Sequence, residues 1–178
     1  HHIDMLVWMM GDVENVMAKT ARRLVTIEAE DTGVVILKFR NGALGVIEAT
    51  TATRPKDLEG SLSILGEKGT VEIGGFFMNE LKTWDFCEPD DMDTTVWEQF
   101  AKVPDMPAWN VTEFYKDLID CHYSGVAGLI DGIEGRKSVE LINSIYESAE
   151  IGKKVTLRFS PEKCRLGVTS EQYNKNCQ

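Results

Sequence analysis

The dipeptide Asn41-Gly42 stands between two apolar runs, Val34 to Arg40 and Ala43 to Thr50. Asn-Gly supplies the positive-φ residues of a tight turn at low steric cost, so this arrangement predicts an antiparallel hairpin and fixes which side chains face each other. With a two-residue turn, Phe39 faces Leu44 and Leu37 faces Val46 on one side, while Ile36 faces Ile47 on the other. Both faces are then partly apolar. A sheet with one wet face alternates cleanly between apolar and polar residues, so the second face here needs a cover, either another element or another subunit.

Further strands are expected at Ser61 to Leu65 and Thr70 to Ile73, joined by Gly66-Glu67-Lys68-Gly69, then around Leu81 to Phe86 and at Val155 to Phe159. The sheet they imply is mainly antiparallel. Ile3, Leu6, Val7 and Met10 recur at i, i+3, i+4 and i+7, which predicts a helix ending at Gly11. No capping residue precedes His1, so the first N–H groups of that helix lack acceptors, and the natural protein is expected to continue upstream. A purification-tag remnant is the other origin for His1-His2. Asn110 with Glu113 reads as a capping box opening a helix whose apolar stripe is Val111, Phe114, Tyr115, Leu118, Ile119 and His122, before Gly125. His122 on that stripe reads as a core or edge histidine. A last helix is expected from the Asp131-Gly132-Ile133-Glu134 box to Gly152, with Val139, Ile142, Ile145, Tyr146 and Ala149 turned inward. Between Asp85 and Glu98 lie six acids and no base, interrupted by Pro89, which reads as a solvated loop without the ligand spacing of a calcium hand.

With 178 residues, 43% hydrophobic and 27% charged, the chain has the size and composition of one core-forming domain. It lacks the run of about 20 apolar residues that spans a membrane. Its formal charge of −10 repels polyanions and argues against nucleic acid and anionic lipid as partners. Cys87, Cys121, Cys164 and Cys177 form no C-x-x-C pair and no secretory leader opens the sequence, so reduced thiols and a cytoplasmic setting are expected.

The first helix carries chemistry on its other face, where His1, Asp4 and Trp8 fall together at 100° per residue. A carboxylate one turn from an imidazole can orient it and raise its basicity, as an acid–base pair requires. The loop from Thr50 to Asp57 holds Arg54 and Lys56, two cations in an acidic protein, suited to an anion through a forked guanidinium contact and a point charge.

The string His1-His2-Ile3-Asp4-Met5-Leu6 with Trp8 and Gly11 resembles the H-x-x-D helix of the Gfo/Idh/MocA family of sugar dehydrogenases. Glu30-Asp31-Thr32-Gly33, Asn41-Gly42-Ala43-Leu44-Gly45, Leu58-Glu59-Gly60-Ser61, Gly66-Glu67-Lys68-Gly69-Thr70, and Asp131-Gly132-Ile133-Glu134-Gly135-Arg136 through Tyr146-Glu147-Ser148-Ala149 follow that family's C-terminal domain in order. Within the family the chain is most similar to the branch that oxidises a UDP-linked N-acetylglucosamine uronic acid at C3 of the sugar.

The resemblance implies an α/β (α+β) fold, a largely antiparallel open sheet with helices on one face, like dihydrodipicolinate reductase. It makes residues 1–160 a substrate-binding and oligomerisation domain, followed by a polar tail at 161–178. It also implies an N-terminal Rossmann half holding NAD or NADP. That half is not in this sequence: no G-x-G-x-x-G follows a strand, and the family's E-K-P segment is absent. By resemblance His1 is the catalytic proton carrier and Asp4 orients the site, while Arg54 and Lys56 are expected from their charge to bind substrate. The expected partners are a sugar or nucleotide-sugar and further copies of the chain, as a homodimer or homotetramer paired through the open sheet face. The other class of function is a non-catalytic oligomerisation or sugar-binding module.

Overall fold

The computed structural model describes residues 1–101, 108–126 and 132–157. In chain order its elements are α1 (His2–Met10), β1 (Val13–Ala21), β2 (Thr32–Phe39), β3 (Leu44–Thr50), β4 (Leu62–Leu65), β5 (Gly69–Gly74), β6 (Glu80–Phe86), α2 (Asp91–Phe100), α3 (Ala108–Ser124), α4 (Gly132–Ile151) and β7 (Val155–Thr156). The expected mixed α and β architecture with antiparallel pairing is what the chain adopts. The single expected sheet is instead two. A four-stranded sheet of order β3-β2-β1-β7 belongs to a unit built on residues 3–55 and 132–157, and β4-β5-β6 form a second sheet in a unit of residues 56–101 and 108–126.

In the first unit the central strand is β1, which the apolar pattern did not reveal. An irregularity between Val13 and Asn15 places Val13 and Val16, three residues apart, on the same buried face and so breaks the period of two. Val16 and Ala18 meet Val35, Leu37 and Phe39 of β2, and α1 and α4 cover this face with Val7, Leu141 and Ile145. The inward face of α4 is Leu141, Ser144, Ile145 and Ser148, spaced at i, i+3, i+4 and i+7. Val139, expected inside, is exposed. Ser148 fastens this helix to the sheet: its Oγ accepts from the Ala18 N–H at 2.9 Å and donates to the Lys153 carbonyl at 2.7 Å. Both groups are thereby satisfied within the core.

The hairpin exists, one residue out of the expected register. Ile36 pairs with Val46, and Val35 with Ile47, because three residues rather than two make the turn. The Phe39 N–H bonds the Ala43 carbonyl at 2.9 Å, and only Gly42 takes a positive φ, at 93°. Asn41 uses its amide instead: Oδ1 accepts from the Ala43 N–H, and Nδ2 donates at 3.0 Å to the carbonyl of Met10, which ends α1. That supplies a donor to one of the last carbonyls of the helix, beside the Gly11 N–H that bonds the Val7 carbonyl. A slip of one residue turns a strand over. Leu44 and Val46 therefore face away from the core beside Val34 and Ile36, while Ile47 packs against it and Ala49 shares Ile47's side of β3.

In the second unit β4, β5 and β6 lie where the sequence places them, but residues 91–100 form a helix, not a loop. The acids that suggest solvation build its start: Asp90 Oδ1 accepts from the N–H groups of Met92 and Asp93, and Asp93 Oδ2 accepts from the Asp90 N–H. Carboxylates here also match the positive end of the helix dipole. Asp93 Oδ1 accepts from Trp84 Nε1 at 3.0 Å and ties the helix to β6. Glu59 accepts from the Gly75 N–H at 3.0 Å and pairs with Lys82, bracing the β5–β6 turn.

Helix α3 begins at Ala108, ahead of the expected cap at Asn110, and Glu113 pairs with Lys116. Its stripe of Val111, Phe114, Tyr115, Leu118 and Ile119 is exposed, as is His122, so these residues are not core. The box at Asp131, the end of the last expected strand and the tail at 161–178 lie outside the described residues. Cys87 and Cys121 are free thiols; Cys164 and Cys177 also lie outside. No helix among the described residues is long and apolar enough to cross a membrane.

Candidate functional site

Helix α1 presents His1 at its N-cap and Asp4 and Trp8 along its length, all exposed, with Trp8 78% accessible, while Val7 is buried. His1 makes no side-chain cap, so its imidazole is not spent on the helix. Asp4 finds its partner on another element. Ser138 of α4 donates its hydroxyl to Asp4 Oδ1 at 2.5 Å, so the carboxylate locks the start of α1 to α4. Among the described residues no hydrogen bond joins Asp4 to His1. The expected acid–base pair is thus resolved into an imidazole facing out and a carboxylate that fixes the helix bearing it. Sequence reasoning missed Ser138, since nothing local links positions 4 and 138.

Arg54 lies on the loop that follows β3, exposed, with Nη1 donating to its neighbour Thr53's carbonyl at 2.7 Å. Lys56 is exposed and belongs to the second unit. A cleft of about 280 Å³ lies elsewhere in the first unit, against Arg40, Arg136, Lys137, Asp12 and Glu140, and none of His1, Asp4, Arg54 or Lys56 lines it. Its lysine is held by carboxylates. Lys137 bonds Glu134 at 2.8 Å and Asp12 at 3.3 Å, and these carboxylates, Glu134 foremost, push its ammonium pKa up. Among the described residues no three His, Cys, Asp or Glu side chains gather as metal ligands.

The most buried carboxylate among the described residues is Asp31, 2% exposed, at the entry to β2. Its Oδ2 accepts from three successive backbone N–H groups, Arg23 at 2.8 Å, Leu24 at 2.7 Å and Val25 at 2.9 Å, and Thr32 Oγ donates to Oδ1 at 3.0 Å. The Val25 N–H above all, with those of Leu24 and Arg23, holds its carboxyl well below the usual carboxylate range, against the opposite pull of burial. A folded-state pKa below the unfolded one gives stability that is present above about pH 4 and is lost as pH falls through the folded value. Asp31→Asn is therefore expected to lower the thermal midpoint at neutral pH. The gap between the two proteins should hold down to about pH 5 and narrow below about pH 4, and melting curves across that range check it. A gap independent of pH would show that the charge of Asp31 contributes nothing.

The oxidoreductase family's C-terminal alpha/beta domain matches residues 1–157. The chain belongs to that family. The WlbA dehydrogenase of Chromobacterium violaceum, solved in complex with NADH and UDP-GlcNAcA, is 41% identical with a TM-score of 0.77 over 90% of this chain and 44% of its own. Its counterpart from Bordetella pertussis, in complex with the same two ligands, is 39% identical with a TM-score of 0.72 over 89% and 43%. D-apiose dehydrogenase of Rhizobium rhizogenes is 25% identical over 168 residues, 88% of this chain and 46% of that protein. The chain thus spans less than half the length of each of these relatives. The family model covers α1 to β7 in a single stretch.

Proposed function

We propose that this chain is the substrate and assembly part of an NAD(P)-dependent dehydrogenase that oxidises a hydroxyl of a nucleotide-linked sugar uronate of the UDP-GlcNAcA type. The observation that carries the reading is the likeness, near 40% identity across nine-tenths of the chain, to two dehydrogenases holding NADH and UDP-GlcNAcA. When bound by the rest of the protein, the nicotinamide supplies the hydride acceptor. The part of this chain is the proton: as the C–H electron pair leaves with hydride and the C–OH becomes C=O, His1 takes the hydroxyl proton. Asp4 and Ser138 keep the helix that carries His1 in place. Arg54 and Lys56 meet the substrate's negative charge.

Among the described residues the strand that leads into a helix, β6 into α2, does so through Cys87-Glu88-Pro89-Asp90, with no glycine loop to bring backbone N–H groups to a pyrophosphate. The chain by itself is expected to bind NAD with no useful affinity; calorimetry giving a micromolar constant would overturn this. The function is tested on the intact protein with NAD or NADP and UDP-GlcNAcA, following the absorbance of the reduced nicotinamide. Reduction with UDP-GlcNAcA and none with free D-apiose is expected. The reverse preference would replace the nucleotide-sugar reading with one closer to the D-apiose enzymes.

A further inference from the structure

Asp31 does more than cap its own strand. Its side chain holds the loop at 22–30 through three N–H bonds, and its backbone carbonyl accepts from the Thr51 N–H and from Thr50 Oγ, both at 2.9 Å. One buried residue therefore ties together the loop that follows β1 and the loop that follows β3. Each of these loops carries arginine: Arg22 and Arg23 on the first, Arg54 on the second, all exposed or nearly so.

None of the three makes an ion pair among the described residues, in a chain with 29 acids to 19 bases. Arg22 and Arg54 are instead steadied by one N–H each on a nearby carbonyl, Ile27 at 2.6 Å and Thr53 at 2.7 Å. A guanidinium has five donors, so each keeps most of its fork for a ligand. Two of the nearby carboxylates are engaged. Asp31 gives its oxygens to backbone N–H groups and Thr32, Glu30 accepts from the Tyr146 hydroxyl, and Glu28 is exposed.

We propose that the Arg22–Arg23 loop is the second half of an anion clamp whose first half is the loop bearing Arg54, that its ligand is the diphosphate of the nucleotide sugar, and that Asp31 is the positioning residue holding the halves together. The proposal rests on the nucleotide-sugar reading and adds to it a subsite and the residue that orders it. A diphosphate suits this arrangement better than a single carboxylate, because it offers two adjacent anionic groups to guanidinium forks arriving from two loops.

The test is calorimetric titration of the intact protein with UDP and, separately, with N-acetylglucosaminuronic acid lacking the nucleotide. Arg22→Gln and Arg23→Gln are each expected to weaken UDP at least about tenfold, more at low salt, and to leave the free uronate unchanged. If both leave UDP affinity intact while Arg54→Gln weakens it, the second half of the clamp is wrong and the nucleotide-sugar reading stands. If none of the three affects UDP, the anion role of both loops falls. Loss of uronate rather than UDP affinity would reassign the clamp to the carboxylate and overturn the diphosphate assignment. Asp31→Asn should raise KM for the UDP-sugar with kcat nearly unchanged and an unaltered far-ultraviolet spectrum. A lower melting point with UDP affinity untouched would reduce Asp31 to a structural residue.

Discussion

Replacing His1 by Asn in the intact protein is expected to lower turnover of the sugar by about 100-fold or more and to leave dinucleotide affinity nearly unchanged. Asparagine approximates the size and hydrogen-bonding of the imidazole but cannot take up a proton at neutral pH, so the replacement removes the chemistry and spares the shape. The imidazole of His1 is exposed at the start of α1 and makes no capping bond, and the helix behind it is held through Asp4 and Ser138. The dinucleotide should not sense the change, because no phosphate loop lies among the described residues. Steady-state kinetics with a parallel titration of NADH binding checks both halves. Unchanged turnover would remove His1 from the reaction, and a parallel loss of NADH binding would make its role one of cofactor contact. Ser138→Ala should have a smaller effect of the same kind, since it loosens the helix without removing the imidazole.

Loss of self-association should follow from two aspartates on the outer face of the first sheet. Met17, Val34, Ile36, Leu44 and Val46 gather there on three adjacent strands, each between 44% and 77% exposed. A monomer rarely leaves such a patch in water, and burying it yields about 25 cal/mol per Å². A second copy related by a two-fold axis offers the same surface in return. The chain is therefore expected to be dimeric at tens of micromolar by light scattering, as an interface of about 1,600 Å² would be. Ile36→Asp combined with Val46→Asp should give a monomer, since the two residues are paired neighbours and each charge would be buried without a partner. A monomeric unmodified chain would refute the proposed assembly. The choice of Val46 comes from the observed register: a two-residue turn points to Ile47, which packs against the core, and an aspartate there would test folding instead.

Much of this protein is legible as local pattern. The α1 helix and its Gly11 stop, the β4 and β5 strands and the ordered motifs of the family are set by periodicity and turn chemistry acting over a few residues. What escapes is decided over longer distances. Strand β1 is hidden because its irregularity at Glu14 disrupts the alternation, and only pairing with β2 and β7 makes it the centre of a sheet. The hairpin register turns on where Asn41 sends its amide, to Ala43 and across to Met10, a choice that needs α1 already in place. Helix α2 reads as a loop because its acids look alike in sequence, although Asp90 and Asp93 cap the helix and Trp84 holds Asp93. The sequence by itself determined that a histidine, an aspartate and a tryptophan share one helix face and that arginine occurs on the loop after β3. The tertiary structure decided what those residues are joined to: Asp4 meets Ser138 from 134 positions away, and Asp31 binds two loops at once. The physical reason is that a helix or strand face is fixed by a repeat of a few residues, whereas the partner of a polar group depends on which elements the core brings together.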